Sequence, residues 1–593
     1  MPTSFDVALQ DFHAGRFADA EVACRAGLQA LPNDLPLLSL HGVTLHRLGR
    51  IEDALVVCRR AIAQHPEAPE PLINLAAMFQ AAGRTAEMER CLHRLRAVHP
   101  ASLHASQRLG VSRQEHGDVD DALLHIRRSA RLGPFASGTL FNLGTLLLSM
   151  GHPVEGATAF AALVGNEPDS GLGYAQLAAC LLVAGDVKRA SELYERAYRL
   201  DPSNADAIDG RVRCRRYRVA LASATHKEVP QGLLVRGPYQ GISGYAHMTN
   251  RLVDSLAIGG TRVHKLGLLG NEPWASPIDA AVRGRSILSC LTPPTVERVP
   301  GLMTVNLSMF EGTRIPPSWY RFSLQHDLVI VPTESSRVAW AERGYPEERL
   351  RVCPLGVDPE MMDGPLVQIE TPSGRPVTSY KHRVLNVSDF IPRKNVDGVL
   401  RVWLKATSAM DDAVLVLKLG KGNTQTRAAI EALFQQTEAL VGKKREEAAP
   451  IMVICAALDE DSMTRLFRTA THYWSLSHGE GWDLPMSKAG AMGLQLIAPA
   501  HSSYVDYLDD GVARMIPCTI GPAHLPNSHE PWPVFHGLDW WEPDEDVAAE
   551  FLHRVIHDQD GRPRDARTRL LERFAWSQAA DRLLSILCDV GAA

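Results

Sequence analysis

Six prolines divide the first third of the chain at equal intervals: Pro32, Pro66, Pro100, Pro134, Pro168 and Pro202. Six glycines keep the same interval, at Gly15, Gly49, Gly83, Gly117, Gly151 and Gly185, and each step is 34 residues. A fixed period of this length belongs to small structural units that stack on their neighbours, because one such unit cannot bury its apolar face alone. The side chains between these marks repeat as well. Small residues recur at Ala8, Gly42, Ala76, Gly110, Gly144 and Ala178, and again at Ala20, Ala54, Ala122, Gly156 and Ala190, with Met88 the exception in the second series. Larger apolar residues recur at Leu75, Leu109, Leu143 and Leu177, and at Cys24, Cys58, Leu92, Ile126, Phe160 and Tyr194. Small residues let two helices approach closely and the large ones fill the space beside them. The glycine turns the chain between paired helices, and the proline ends the second of them.

These positions resemble the tetratricopeptide repeat family over residues 1–204, as six consecutive units. The resemblance implies an α-solenoid whose concave groove suits peptides or protein helices. An arginine-rich segment follows, with Arg211, Arg213, Arg215, Arg216 and Arg218. It reads as a capping helix and linker over 205–228, whose polar face keeps the last repeat soluble. The alternative is a basic patch for nucleic acid or phosphate, but no aromatic residues interleave with the arginines.

A chain of 593 residues is too long for one core, so three or four domains are expected. The formal net charge of -6 gives no general attraction for nucleic acid or an anionic membrane. Ten scattered cysteines form no Cys-x-x-Cys pair, and several take repeat core positions as small apolar residues. That usage suits a reducing compartment. The N-terminal residues lack the basic start and apolar run of a secretion signal, and no apolar stretch is long enough to span a bilayer. A cytoplasmic protein with neither nucleic acid partner nor membrane span is the expectation.

After Pro230 the rhythm changes to alternating strands and helices. Residues 232–239 read as a buried strand, followed by a loop with Gly241 and Gly244 and a helix burying Met248, Leu252, Val253 and Leu256. A strand, glycine loop, helix and strand in succession build a doubly wound sheet, and the loop is a candidate ligand contact. Residues 359–381, rich in Pro, Gly, Ser and Thr, read as a linker, after which the alternation restarts. Two such sheets predict two lobes, 229–358 and 382–570, with a cleft at the carboxyl ends of their strands and a last helix at 571–593.

Residues 477–493 read Ser-His-Gly-Glu-Gly-Trp-Asp-Leu-Pro-Met-Ser-Lys-Ala-Gly-Ala-Met-Gly, running from a strand end into a helix. Pro485 suits the first helical turn. Gly479 and Gly481 let backbone amides approach a ligand, Glu480 points into the cleft, and the free amides of the helix start favour phosphate. This stretch resembles the donor-binding motif of glycosyltransferase family 4, a GT-B fold of two facing doubly wound (Rossmann-like) domains. Asn386–Gly398 looks like its phosphate-binding segment, with Lys394 matching the family's lysine. Arg351–Asp358 looks like the end of its N-terminal domain, Met309–Trp319 like a segment placed in its cleft, and Phe574–Ser577 like the start of the C-terminal helix that crosses back.

The resemblance implies a nucleotide-sugar as co-substrate, no other cofactor and no metal; no Asp-x-Asp cluster with ligand geometry is read from the sequence, and Asp509-Asp510 reads as a polar turn. Arg393 and Lys394 would stabilise the charge growing on the leaving phosphate, and Glu480 would contact the sugar. The family's second glutamate, eight residues on, is replaced here by Lys488, which binds an anion or carries its ammonium to solvent. The family's arginine six positions before its lysine is replaced by Ser388, with Arg393 as a possible substitute. Glu311 is the candidate for orienting or deprotonating an acceptor hydroxyl, or else a structural partner of Arg314. His326 and His478 are acid–base candidates or satisfied structural histidines. The family is generally retaining, which implies that a donor phosphate oxygen accepts the acceptor's proton.

A protein-reading array joined to a sugar-transfer fold suggests a protein acceptor: a sugar carried to Ser or Thr of a client held by the repeat groove, with flagellin or another surface protein as an example by architectural analogy. The alternatives are transfer to a glycan or lipid precursor with the repeats recruiting a partner, and a non-catalytic adaptor with a degenerate sugar-transfer fold.

Overall fold

The computed structural model describes residues 3–115, 118–224, 232–241, 243–268, 286–299, 302–359, 363–420, 424–523, 533–535, 537–559 and 564–592. The chain divides into two compact units, Met1–Ala184 with Glu192–Gly210, and Gly185–Ser191 with Arg211–Ala593.

The repeats are helix pairs: Ser4–His13 with Phe17–Ala30, Leu35–Arg47 with Ile51–Gln64, Pro69–Ala81 with Thr85–Val98, Leu103–Glu115 with Val119–Leu132, Ser137–Ser149 with Pro153–Asn166, and Gly171–Val183 with Val187–Leu200. Each periodic proline stands two residues beyond the second helix of its pair. Gly15, Gly49, Gly83, Gly151 and Gly185 all have φ between 67° and 93°, the left-handed turn that glycine makes at least cost. Gly117 lies outside the described residues. The small and large series face each other inside a pair. A Cβ on Gly42 would sit 2.7 Å from Cys58 Sγ, one on Gly110 2.4 Å from Ile126, and one on Gly144 2.6 Å from the ring of Phe160. The repeat is therefore a contact rule: the first helix gives up its side chain where the second inserts one.

The second unit holds two six-stranded sheets, both wholly parallel. In the first lobe, β1 (Leu233–Arg236), β2 (Val263–Leu266), β3 (Ser286–Cys290), β4 (Met303–Leu307), β5 (Leu328–Val331) and β6 (Leu350–Val352) lie in the order β2-β1-β3-β4-β5-β6. In the second, β7 (His382–Ser388), β8 (Ala413–Leu419), β9 (Ile451–Ile454), β10 (His472–Trp474), β11 (Gln495–Pro499) and β12 (Arg514–Ile516) lie in the order β12-β11-β10-β7-β8-β9. This pair of doubly wound lobes is the GT-B arrangement. Strand β8 is buried along its whole length, as expected where helices cover both faces of a parallel sheet.

Three features add to the sequence reading. Within 363–381, Thr371, Val377 and Tyr380 are buried and Arg375 stacks 3.7 Å over the Tyr380 ring, while most of the segment is exposed. Part of the arginine-rich helix, Ala205–Ala224, turns inward. Arg213 and Tyr217 bond the buried Glu297 at 3.3 and 2.7 Å, and Arg236 pairs with the same carboxylate. Arg213 is thus an internal partner, while Arg215 and Arg218 of the same helix are exposed. Third, an antiparallel hairpin of β13 (Cys518–Pro522) and β14 (Asp539–Pro543), which periodicity did not reveal, follows β12. The final helix, Trp576–Asp589, returns to the first lobe, where Val357 N–H donates to Phe574 O at 2.7 Å and a Cβ on Gly356 would strike Trp576 at 2.3 Å.

Phe160 is fully buried, edge-on to Phe141 at 5.7 Å between centroids. Phe160→Ala leaves a void opposite Gly144, a position with no side chain to refill it. The expected cost is about 3–5 kcal/mol, read as a lower urea midpoint of the repeat array's helical signal.

Candidate functional site

In an open parallel sheet, the loops on either side of the strand-order reversal leave in opposite directions and open a crevice at the carboxyl edge. In the second lobe that reversal falls between β7 and β10. The β7 loop carries Arg393 and Lys394 in a single 3-10 turn, and the β10 loop carries Ser477–Glu480. Asn395, in the left-handed region at φ 51°, ends that turn, caps the next helix through Gly398 N–H, and donates from Nδ2 to Leu476 O at 3.0 Å. His478 N–H donates to Arg393 O at 2.8 Å, so the two loops are stitched together.

Four charged groups from both lobes converge here. Lys394 Nζ donates to Glu480 Oε1 at 2.6 Å, and Arg393 Nη1 lies 3.1 Å from Glu480 Oε2. Arg393 also bonds Gly479 O, and its Nη2 is 3.8 Å from Glu311 Oε1 of the first lobe. The side chains of Arg393, Lys394, Glu480 and Glu311 are 14%, 15%, 6% and 22% exposed. Burial alone would raise the Glu480 carboxyl, but Lys394 and Arg393 hold it well below the ordinary range. Burial lifts the Glu311 carboxyl, against the pull of Arg393 and with the repulsion of Glu480. Glu311 therefore pairs with Arg393 and not with Arg314, which is exposed.

The glycines have neighbours other than those expected of them. A Cβ on Gly479 would lie 1.8 Å from the Glu311 carbonyl oxygen, and one on Gly481 2.5 Å from Met309. On their Cβ side they admit the first lobe's backbone and the Met309 side chain. Gly241 has φ 91° and open space beside it; Gly244 opens the helix Gly244–Ile258, and a Cβ on it would lie 3.9 Å from Leu484 Cδ1. The glycine loop of the first lobe thus faces the start of the helix Leu484–Ala491. Ser388 Oγ donates to Asn386 Oδ1 at 2.9 Å, and Asn386 holds Trp474 O at 2.8 Å, tying β7 to β10. Lys488 Nζ donates to Thr464 Oγ1 at 3.0 Å and lies 5.6 Å over the Phe467 ring. His478 donates from Nδ1 to Trp541 O at 2.8 Å and stacks on Trp540 at 4.3 Å. His326 is a correction: it precedes β5, at the edge of the sheet opposite the crevice, and burial pushes it down to about 3.

Sequence reasoning missed four further groups. Asp483, at φ 56°, caps the helix Leu484–Ala491 by accepting from Met486 N–H at 3.2 Å. It also accepts from Tyr504 OH at 2.6 Å. An Asp directly before Leu-Pro at a helix start is the legible cap signal. His501 donates from Nε2 to Ser477 O at 2.8 Å, meets Ser502 Oγ through Nδ1 at 2.9 Å, and stacks on Trp541 at 5.0 Å and 3°. Ser502 Oγ takes the Glu480 N–H at 3.1 Å. Trp541 comes from the hairpin, which also grips the first lobe: Thr313 N–H donates to Asp539 O at 3.1 Å, and Phe535 stacks on Phe310 at 5.3 Å. Elsewhere between the lobes, His247, Asp358 and Glu460 approach one another as metal ligands would. Arg251 bonds both carboxylates at 3.1 Å, so the cation there is the protein's own.

A protein-family model described as tetratricopeptide repeat matches residues 141–205. The comparison with curated proteins gives no match. Among solved structures, the tetratricopeptide protein YrrB aligns at 15% identity over 32% of this chain and 98% of its own, with a TM-score of 0.29. HepE of Anabaena, in complex with UDP and glucose, aligns at 12% identity over 61% of this chain and 100% of its own, with a TM-score of 0.43. Sucrose-phosphate synthase of Thermosynechococcus elongatus aligns at 15% identity over 61% and 100%, with a TM-score of 0.46. The chain joins a tetratricopeptide array to two GT-B lobes. Among the described residues, no helix is long and apolar enough to cross a membrane.

Burial, then repulsion from Glu480, raises Asp483 from 3.8 to about 6. The folded carboxyl thus keeps its proton to higher pH than the unfolded one, and stability falls as pH rises through that window. Asp483→Asn keeps the cap through its one amide oxygen, turns an amide donor toward the Tyr504 hydroxyl, and does not ionise. Between about pH 4 and about pH 7, the parent's melting temperature should fall further than the variant's.

Proposed function

We propose that the chain is a glycosyltransferase that moves a sugar from a nucleotide-sugar to Ser or Thr of a protein client recruited by the repeats. The observation that carries this reading is the meeting of Arg393, Lys394 and Glu480 at the reversal of strand order, with Glu311 brought from the opposite lobe. A donor's leaving phosphate gains negative charge as the sugar–oxygen bond breaks, and two preorganised cations beside a helix start suit that charge. Glu480 is placed to take sugar hydroxyls. In the retaining course, the acceptor oxygen bonds the anomeric carbon, the bond from that carbon to the phosphate oxygen breaks, and the acceptor proton passes to a donor phosphate oxygen. Glu311, with its carboxyl lifted, orients the acceptor hydroxyl. The scheme assigns the leaving-group charge to side chains and amides and uses no metal. A surface protein such as flagellin is a client of the required kind, and the reading places the protein in the cytoplasm.

One observation favours the adaptor reading instead: Lys394 and Arg393 already hold Glu480, so a phosphate must draw them away from a carboxylate. A thermal-shift series with UDP-, GDP- and CMP-sugars separates the two. Donor binding to the folded state raises the melting temperature. Lys394→Ala and Glu480→Ala should each lower transfer by roughly 100- to 1,000-fold, measured by donor consumption and glycopeptide mass spectrometry. No stabilisation by any donor and no sugar on any client would leave the adaptor.

A further inference from the structure

We infer that the second helices of repeats two and three form a docking site for an acidic protein segment that carries a bulky apolar side chain. A pocket of about 550 Å³ opens between the helices Ile51–Gln64 and Thr85–Val98, over the helix Pro69–Ala81. Its floor is apolar, with Ile62, Leu75 and Phe79 each almost wholly buried. Arg59, Arg90 and Arg94 stand around it, all exposed. None of the three has an ion-pair partner among the described residues. Glu87 also borders the pocket; its carboxylate bonds Arg84 at 2.6 Å and feels the charge of Arg90, so one acid faces several cations and the rim stays positive.

Charge complementarity fixes the chemistry of the occupant. Three unpaired guanidiniums above a greasy floor, in a chain whose net charge is -6, suit an anionic partner with an apolar anchor. The volume is that of pockets that enclose a substantial apolar group. The surface also extends past the pocket. Val56 is 65% exposed and shares a helix face with Arg59 and Ala63, three and seven residues along the turn pattern. A longer chain, rather than a small anion, covers that strip. The inference rests on the repeats alone and stands whether or not the second unit transfers sugar.

The test uses the full-length chain and a fluorescein-labelled library of acidic peptides, each with one central Phe, Leu or Trp, read by anisotropy. Saturable binding is expected that weakens with salt. It should also weaken about tenfold or more in Arg90→Glu/Arg94→Glu, whose side chains are exposed and leave the fold intact by circular dichroism. Ala63→Trp, at the pocket's edge, should block it independently. Replacing the central aromatic or leucine by Ser in the best peptide should abolish binding. The inference is overturned if no library member binds saturably, if the arginine variants bind as the parent does, or if neutral and basic peptides bind equally. Preference for an oligonucleotide or for anionic-lipid vesicles over every peptide would overturn it too.

Discussion

The second unit depends on one buried carboxylate. Glu480 sits between Lys394 and Arg393 with almost no solvent; the two cations share the β7 loop and the acid comes from the β10 loop, both at the carboxyl edge of the same sheet. Sheet order makes this meeting obligatory, because β7 and β10 are neighbours although 83 residues separate the end of the first from the start of the second (472 - 388 - 1). An isolated ionised acid at this depth is untenable, and removing one member of a buried pair costs about 3–5 kcal/mol because the other charge stays buried. The loops therefore hold their geometry through the same charges that a substrate would meet. Ser477 adds neutral stitching: its Oγ reaches Arg393 O at 3.2 Å and Gly479 O at 3.1 Å.

The site is complete only because the lobes are held together at several places. The backbone of Glu311 comes so close to Gly479 that no side chain fits there. The hairpin crosses from the second lobe to plant Phe535 and Leu538 among Phe310, Trp319 and Trp340 of the first. On the other flank, the last helix presses Trp576 against Gly356. These contacts are apolar or backbone-to-backbone, so they fix position without adding charge. Charge between the lobes gathers at Arg251 with Asp358 and Glu460, and at the four groups of the crevice, where burial makes each interaction stronger than it would be in water.

What could be read from the amino acids followed physical regularity. The repeat was visible because the rule pairing Gly144 with Phe160 recurs at one spacing, and stacked units have nowhere else to put those residues. The parallel strands were visible because burial on both faces leaves short, nearly continuous apolar runs such as 413–419. Arg393, Lys394 and Glu480 were legible through a family resemblance and not through periodicity. The hairpin was not legible: Trp540 and Trp541 alternate with no neighbours to declare a sheet of only two strands, and their worth lies in tertiary stacking on His478 and His501. Asp483 was passed over because a cap is a local role, whereas its raised titration comes from Glu480 and burial, which only the fold supplies. The segment 363–381 was legible as turns, with Gly374 at φ 78°, but the anchoring burial of Thr371, Val377 and Tyr380 within a mostly exposed stretch was not.

The arrangement of charge also says how an anion would enter. Arg393 is shared between Glu480 at 3.1 Å and Glu311 at 3.8 Å, whereas Lys394 has Glu480 as its close partner. With both acids ionised the four groups sum to zero, and an incoming phosphate gains little. Glu311 is the group whose carboxyl burial pushes toward the neutral form, and with it protonated the cluster carries one net positive charge. In the proposed reading an anion would then meet a cation without expelling Glu480 from the crevice, and Arg393, the guanidinium that faces both acids, would link its arrival to the charge on Glu311.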